Sequence, residues 1–258
     1  MIAWLESLPT SIAGFVIVGL FVVSTLVLGY LVAAFTSEEV RAAHTDRAGF
    51  ILAVIGVVYA VLLAFVAVGV WERFQQAEAR SYEEASAIAT IYRDSESFPN
   101  SEALRAAVLR YVHSVIEDEW SMMTLGDQSG FSHALSDAMD RHIRSLRVES
   151  ASQANIQSRM LAASETALAD RQERLTLDFI GINDIMWVVL FVGAYITVGF
   201  TYFFGFDRTI MQQLMIGALS LLIGLVLFLI MALDFPYRGS IAVSPDAFRV
   251  LLESWQTR

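Results

Sequence analysis

AGFILAVIGVVYAVLLAFVAVGVW, residues Ala48 to Trp71, decides the fold: 24 residues without a charged side chain, bounded by Arg47 and Glu72. A bilayer core about 30 Å thick needs roughly 20 helical residues at 1.5 Å rise each, so the run is long enough to span. Three more runs repeat the pattern. Ser11 to Phe35 gives 25 uncharged residues, the stretch between Asp184 and Asp207 gives 22, and that between Arg208 and Asp234 gives 25. In hydrocarbon a backbone must satisfy its own hydrogen bonds, so each run is expected to be a helix. The sequence predicts an all-α membrane protein, with four transmembrane helices in two antiparallel pairs flanking a helical cytosolic insert. The expected spans are 10–35, 47–72, 182–206 and 209–233. They divide the chain into an N-terminal transmembrane hairpin at 1–72, an insert at 73–178, a C-terminal hairpin at 179–234 and a tail at 235–258.

Composition narrows the function classes. The chain has 258 residues, 56% of them hydrophobic, with a mean hydropathy of +0.55. It has no cysteine, which excludes disulfides, thiolate catalysis and cysteine-ligated metals. Its net charge of −10 argues against nucleic acid as a partner, because phosphate binding needs a basic surface. Met1 to Thr10 carries no Lys or Arg, and the run that follows is longer than a signal-peptide core, so the first span is expected to be retained. Arg41, Arg47 and Arg208 flank the spans on one side; Arg73, Arg80, Arg171, Arg174 and Arg238 lie on the other. This bias places both termini and the insert in the cytoplasm of an inner-membrane, multi-pass protein.

Between Thr36 and Arg47 a short polar loop is expected, pairing the first two spans; Gly205-Phe206-Asp207-Arg208 does the same for the last two. Nothing from Val70 to Ser97 breaks a helix, so the second span is predicted to continue out of the membrane to about Ser95. Phe98-Pro99 ends it, and Ser101 reads as the N-cap of the next helix. Leu104, Val108, Val112, Val115 and Trp120 give that helix an apolar stripe. Leu125 to Gly130 is a loop. Leu135, Met139, Ile143 and Leu146 mark a third insert helix over 132–147; Ile156, Met160, Leu168 and Leu175 mark a fourth, with a bend at Gly181. The second span's extension is expected to pack on that fourth helix through Ala85, Ile88, Ala89 and Leu168. Phe248 to Trp255 is a short final helix.

No catalytic set is visible. The four histidines are His44, His113, His133 and His142, and only His113 with Glu117 shares a helix face, lacking a third ligand at a metal-site spacing. Glu117-Asp118-Glu119 reads as a solvated acidic run, since consecutive helical residues point in different directions. GxSxG, Walker and dinucleotide fingerprints are missing. No metal, cofactor or enzymatic activity is expected. No charge sits in mid-span, which disfavours a buried proton relay; polar Asn183, Asp184, Gln212 and Gln213 cluster at span ends. Small residues recur at Gly14, Gly19, Gly56, Ala60, Gly193, Ala194, Gly217 and Gly224, where close helix approach within or between subunits is expected.

The second span is the best pore candidate. Val54, Val58, Val61 and Phe65 share a face that leads to Glu72 and Gln76, an apolar constriction followed by an acidic mouth when repeated around an axis. Plain packing produces the same kind of stripe.

Two stretches resemble a bacterial family described as bestrophin-like. One is Leu62-Leu63-Ala64-Phe65 through Trp71-Glu72-Arg73-Phe74 to Glu78-Ala79 and Glu84-Ala85. The other is Leu233-Asp234-Phe235-Pro236-Tyr237-Arg238-Gly239 followed by Val243-Ser244-Pro245-Asp246-Ala247-Phe248, where Tyr237-Arg238 departs from the family's Phe and small residue. The resemblance implies an analogy with bestrophins: pentameric ion channels with two spans, a helical insert and two more spans, and a second-span pore with an apolar neck. Neither the bestrophin neck nor its acidic calcium clasp is reproduced residue by residue. The expectation is an oligomeric ion channel, a pentamer favoured, whose partners are the lipid bilayer and inorganic ions. Glu72, Glu78 and the negative net charge point to cations. The rival reading is a membrane-anchored scaffold or sensor whose helical insert binds a partner.

Overall fold

The computed structural model describes residues 10–126, 131–204, 209–239 and 241–256. All its regular elements there are helical. They are α1 (Thr10–Phe35), α2 (Glu38–Ser95), α3 (Glu102–Ser114), a π turn (Val115–Glu119), α4 (Trp120–Thr124), α5 (Phe131–Arg144), α6 (Ala151–Phe179), α7 (Asp184–Phe200), α8 (Thr209–Asp234) and α9 (Asp246–Gln256). A short 3-10 turn, Thr201–Phe203, extends α7. Helices α1, α2, α7 with its turn, and α8 are long and apolar enough to cross a membrane. The Asp127–Gly130 loop and the Gly205–Arg208 connection lie outside the described residues.

Two expectations need correction at this level. The segment read as a loop between the first two spans is helical from Glu38 onward; Glu38-Glu39-Val40-Arg41-Ala42-Ala43 contains good helix formers and no breaker, and polarity alone does not end a helix. Ser101 does not cap α3 with its side chain. Its hydroxyl donates to the Phe98 carbonyl at 2.8 Å, closing the turn after α2 instead. Side-chain caps do form at α6, where the Ser150 hydroxyl accepts from the Gln153 amide, and at α7, where the Asn183 side chain accepts from the Ile185 amide.

The chain divides into two compact units, Met1–Glu72 with Ile182–Asp234, and Arg73–Gly181 with Phe235–Arg258. In the first, α1 packs most extensively on α8 rather than on its hairpin neighbour α2. The two run antiparallel: a Cβ on Gly14 would stand 2.8 Å from the Phe228 ring, and one on Gly29 would stand 3.0 Å from Ile216. Thr25 donates to Ser220 at 2.8 Å where both are buried. The Tyr202 hydroxyl reaches the Thr25 carbonyl at 2.9 Å. Between α2 and α7, the Tyr59 hydroxyl donates to the Leu190 carbonyl at 2.9 Å. Its ring fills the space over Gly193, where a Cβ would come within 2.6 Å. Loop length constrains which helix ends meet, while glycine gaps and hydroxyls select which faces touch, and in lipid the second effect governs packing. Gly19 and Gly56 meet nothing within 4 Å among the described residues.

In the second unit the hydrophobic effect is available and is used. Ile88, Ile91, Val108, Val112, Met139, Ile143, Met160 and Phe248 form one buried core. Ala85 and Ile88 take part in it, as expected, while Ala89 and Leu168 are only half-buried. Trp120 sits within that core, donating to the Val243 carbonyl at 3.1 Å, with the Tyr237 and Phe248 rings edge-on to it at 5.7 and 5.9 Å. Tyr237 in turn donates to the Ala77 carbonyl at 2.8 Å.

Candidate pore face and a buried charge cluster

At about 100° per residue, Val54, Val58, Val61, Phe65, Glu72 and Gln76 fall within an arc of about 60° on α2. All six are exposed, Val58 at 67% and Phe65 at 74%. The residues α2 buries against its own chain, Tyr59, Leu63, Val70 and Ala77, stand on the other side of the helix. The arc is therefore left bare by the described residues of the chain. It is not uniform: Val54 and Val58 also form one wall of an apolar groove with α7, whereas Val61 and Phe65 do not. Of the other residues weighed for chemistry, His113 Nδ1 lies 3.6 Å from Glu117 with both side chains exposed. Among the described residues no group of three or more His, Asp or Glu is arranged to hold a metal.

A second constellation escaped sequence reasoning. Glu84 of α2, Glu119 of the π turn, and Arg171 and Arg174 of α6 are buried together. Arg174 Nε donates to Glu84 at 2.8 Å, and its Nη2 reaches Glu119. Arg171 Nη2 donates to the other oxygen of Glu119 at 2.6 Å. The Tyr111 hydroxyl completes Glu84 at 2.7 Å, and the Trp120 ring lies 4.8 Å from the Arg174 guanidinium carbon. Two carboxylates and two guanidinium groups cancel, and each carboxylate accepts at least two bonds, which is the condition for tolerating buried charge.

Burial opposes ionisation of Glu119, but Arg174 and Arg171 outweigh it and hold the carboxyl below its usual range. Burial, then the negative charge of Glu84 and Glu119, pushes the Tyr111 hydroxyl well up, so it stays a donor. The π turn, inserted between α3 and α4, brings Glu119 inside while Glu117 and Asp118 stay in solvent. The acidic run is thus split, and only two of its three members form a surface.

A signal for this cluster was present in the sequence. On α6 the buried residues Met160, Ser164, Ala167, Arg171, Arg174 and Asp178 keep a four-three rhythm, and on α2 so do Ala77, Ser81, Glu84, Ile88, Ile91 and Ser95. Counting only apolar residues stops each stripe where its charges begin. The neighbouring pairs have more exposed arginines: Arg80 bridges Glu83 at 2.6 Å, Glu173 at 2.9 Å and Asp170 at 3.2 Å, and Arg159 meets Asp94 at 2.6 Å.

No curated protein matches the chain. Two solved structures do. One is described only as a membrane protein, with 14% identity, a TM-score of 0.66, and coverage of 90% of this chain and 97% of the other. The second is a bacterial bestrophin homolog from Klebsiella pneumoniae carrying a single mutation, with 15% identity, a TM-score of 0.65, and coverage of 90% and 99%. At such identities they speak to the fold alone. The family model described as a Bestrophin-like domain matches residues 19–248. This membrane protein, with its four apolar helices and helical polar middle, therefore belongs to the Bestrophin-like family.

Proposed function

We propose that the protein is a homo-oligomeric ion channel of the inner membrane, with five copies favoured, α2 lining the pore, and termini and insert in the cytoplasm. The observation that carries this reading is the bare arc of α2: Val54, Val58, Val61 and Phe65 end at Glu72 and Gln76, and none of the described elements covers them. Repeated around an axis, Phe65 makes the tightest apolar ring, which closes by dewetting, and Glu72 makes an acidic mouth that concentrates cations. Membership of the Bestrophin-like family supports the same assignment through its resemblance to bestrophin channels.

The test is the reversal potential of purified oligomers in planar bilayers under a salt gradient. The wild type is expected to reverse near the cation equilibrium potential. Glu72→Arg is expected to move reversal towards the anion value, and Phe65→Ala to raise conductance without moving it. Silent bilayers from well-folded oligomers would sink the channel reading and favour an anchored scaffold; anion permeation by the wild type would sink the cation assignment alone.

A further inference from the structure

We infer that Leu125, Phe179 and Ile180 form a membrane-interface anchor, three apolar side chains of the polar unit inserted into the head-group layer of a phospholipid leaflet. The leaflet is the one at which α7 begins and α8 ends. This inference requires only that α7 and α8 span a bilayer. It does not rest on the channel reading, and none of the three residues belongs to the α2 arc.

Covalent continuity fixes where the patch lies. The chain enters α7 at Asp184 and leaves α8 at Asp234. These two points are tied together, since the Ile182 amide donates to Asp234 Oδ1 at 2.7 Å. Phe179 closes α6 and Ile180 follows it, only a few residues before that bond, and they are 47% and 55% exposed. Arg238 stands four residues beyond Asp234, a backbone reach of at most about 14 Å. Its Nη2 donates to the Asp178 carbonyl at 3.2 Å, and its Nε lies 3.4 Å from Asp178 Oδ1.

Gly126 brings Leu125 to the same place. That glycine has a φ of +75°, and a Cβ on it would stand 3.0 Å from the guanidinium carbon of Arg238. Glycine takes this turn without strain and lets the guanidinium approach that closely. The turn leaves Leu125 84% exposed. Leu125, Phe179 and Ile180 are thus gathered around Arg238, within a few residues of the ends of two apolar helices.

Two features select the occupant. Head groups add about 5–7 Å on each side of a hydrocarbon core about 30 Å thick, and side chains so near the span ends fall in that layer. There an apolar side chain leaves water while the backbone beside it keeps polar partners. Arg238 and Asp178 offset each other's charge, so the surface presented around them is carbon and not an anion site. A protein partner fits less well. Three side chains expose far less than the roughly 800 Å² per partner that a specific protein interface buries.

The experiment uses the full-length chain, which has no cysteine, so each single substitution creates one labelling site. Leu125→Cys and Phe179→Cys are nitroxide-labelled and reconstituted in phosphatidylcholine nanodiscs. Power-saturation EPR then compares relaxation by oxygen, which partitions into lipid, with relaxation by a water-soluble nickel chelate. Both sites are expected to favour oxygen several-fold more than Val148→Cys, an exposed site just before the opposite end of α6. Ile180→Cys replaces either variant if its helical content falls. The inference is overturned if either labelled site is as open to the nickel chelate as Val148→Cys. It is also overturned if either is shielded from both reagents, which would assign the patch to a contact with another copy. Conductance enters none of these outcomes, so they are independent of whether the protein is a channel.

Discussion

The two units of this chain solve helix association by opposite means. The spans associate through gaps and hydroxyls: Gly14 under Phe228, Gly193 under Tyr59, Thr25 bonded to Ser220. The polar unit associates through a dense aromatic and aliphatic core, and it encloses four charges in that core. Lipid tails are as apolar as the side chains facing them, so close shape and a few polar bonds are what distinguish a helix partner from lipid. Water rewards burial of carbon, and that surplus is large enough to carry a charge cluster whose members satisfy each other. The same helix, α2, shows both regimes: bare valines at Val54 to Val61, and buried Glu84 beside Ile88.

The largest expected effect lies in the charge cluster. Arg174→Ala leaves Glu84 and Glu119 buried with one cation between them, and is expected to destabilise the polar unit by about 3–5 kcal/mol. Chemical denaturation followed through near-UV aromatic signals measures it. A loss below about 1 kcal/mol would mean that water enters and screens the site, and the contrast between the units would dissolve.

In the membrane unit the matching prediction is steric. Gly193→Leu drives a Cβ into the Tyr59 ring, a contact of 2.6 Å, and overpacking of this kind costs about 1–3 kcal/mol. Gly56→Ala, which meets nothing among the described residues, is expected to leave the stability of the single chain unchanged. If Gly56→Ala instead reduces the number of subunits seen by native mass spectrometry, Gly56 is a contact between copies.

Acid sharpens the comparison further. Glu119 is held below the usual glutamate value of 4.5 by Arg174 and Arg171 against the opposing effect of burial. A carboxyl whose folded value is depressed adds stability that is present above its unfolded value and is lost as pH falls through the folded one. The polar unit should therefore weaken below about pH 4.5, and Glu119→Gln should flatten that acid limb. Asp170 runs the other way: burial and then Glu83 raise it, with Arg80 opposing, so its contribution is lost as pH rises instead. Asp170→Asn should leave the acid limb in place. Denaturation midpoints across the acid range check both variants.

The smallest effect is expected at Thr25→Val. Removing the Thr25–Ser220 bond should cost about 0.6 kcal/mol, the average found for interhelical hydrogen bonds in lipid. Steric trapping or unfolding in mixed micelles is the measurement, and a loss of several kcal/mol would mean that this hydroxyl pair, rather than glycine packing, sets the α1–α8 contact.

Much of this architecture was legible from composition alone. The absence of charge in three of the runs marks helices α1, α7 with its turn, and α8 within a few residues, and the run Ala48 to Trp71 marks the membrane part of α2, whose helix begins earlier, at Glu38. The continuity of α2 past Arg73 was equally readable, since no Pro or Gly interrupts Trp71 to Ser97. The stripe Val54, Val58, Val61 and Phe65 was legible as a face, and the structure adds that the described residues of the chain leave it bare. The Bestrophin-like motifs were specific yet mute about chemistry for a reason now visible. Tyr237, Val243 and Phe248 surround Trp120 and maintain a core.

The sequence by itself determined what each segment must avoid: charge in lipid, broken backbone in lipid, apolar surface in water. These are one-body requirements, set by the free energy of a residue in its solvent, and a linear pattern suffices to express them. Partner choice is a two-body matter, and only the tertiary structure decided it. That α1 lies on α8 depends on a glycine facing a phenylalanine more than two hundred residues away. That Glu119 is buried depends on a π turn and on two arginines of α6 arriving at the same place. Charge patterning could use those arginines only to orient the spans, because the energy that permits them inside exists only once their partners are beside them.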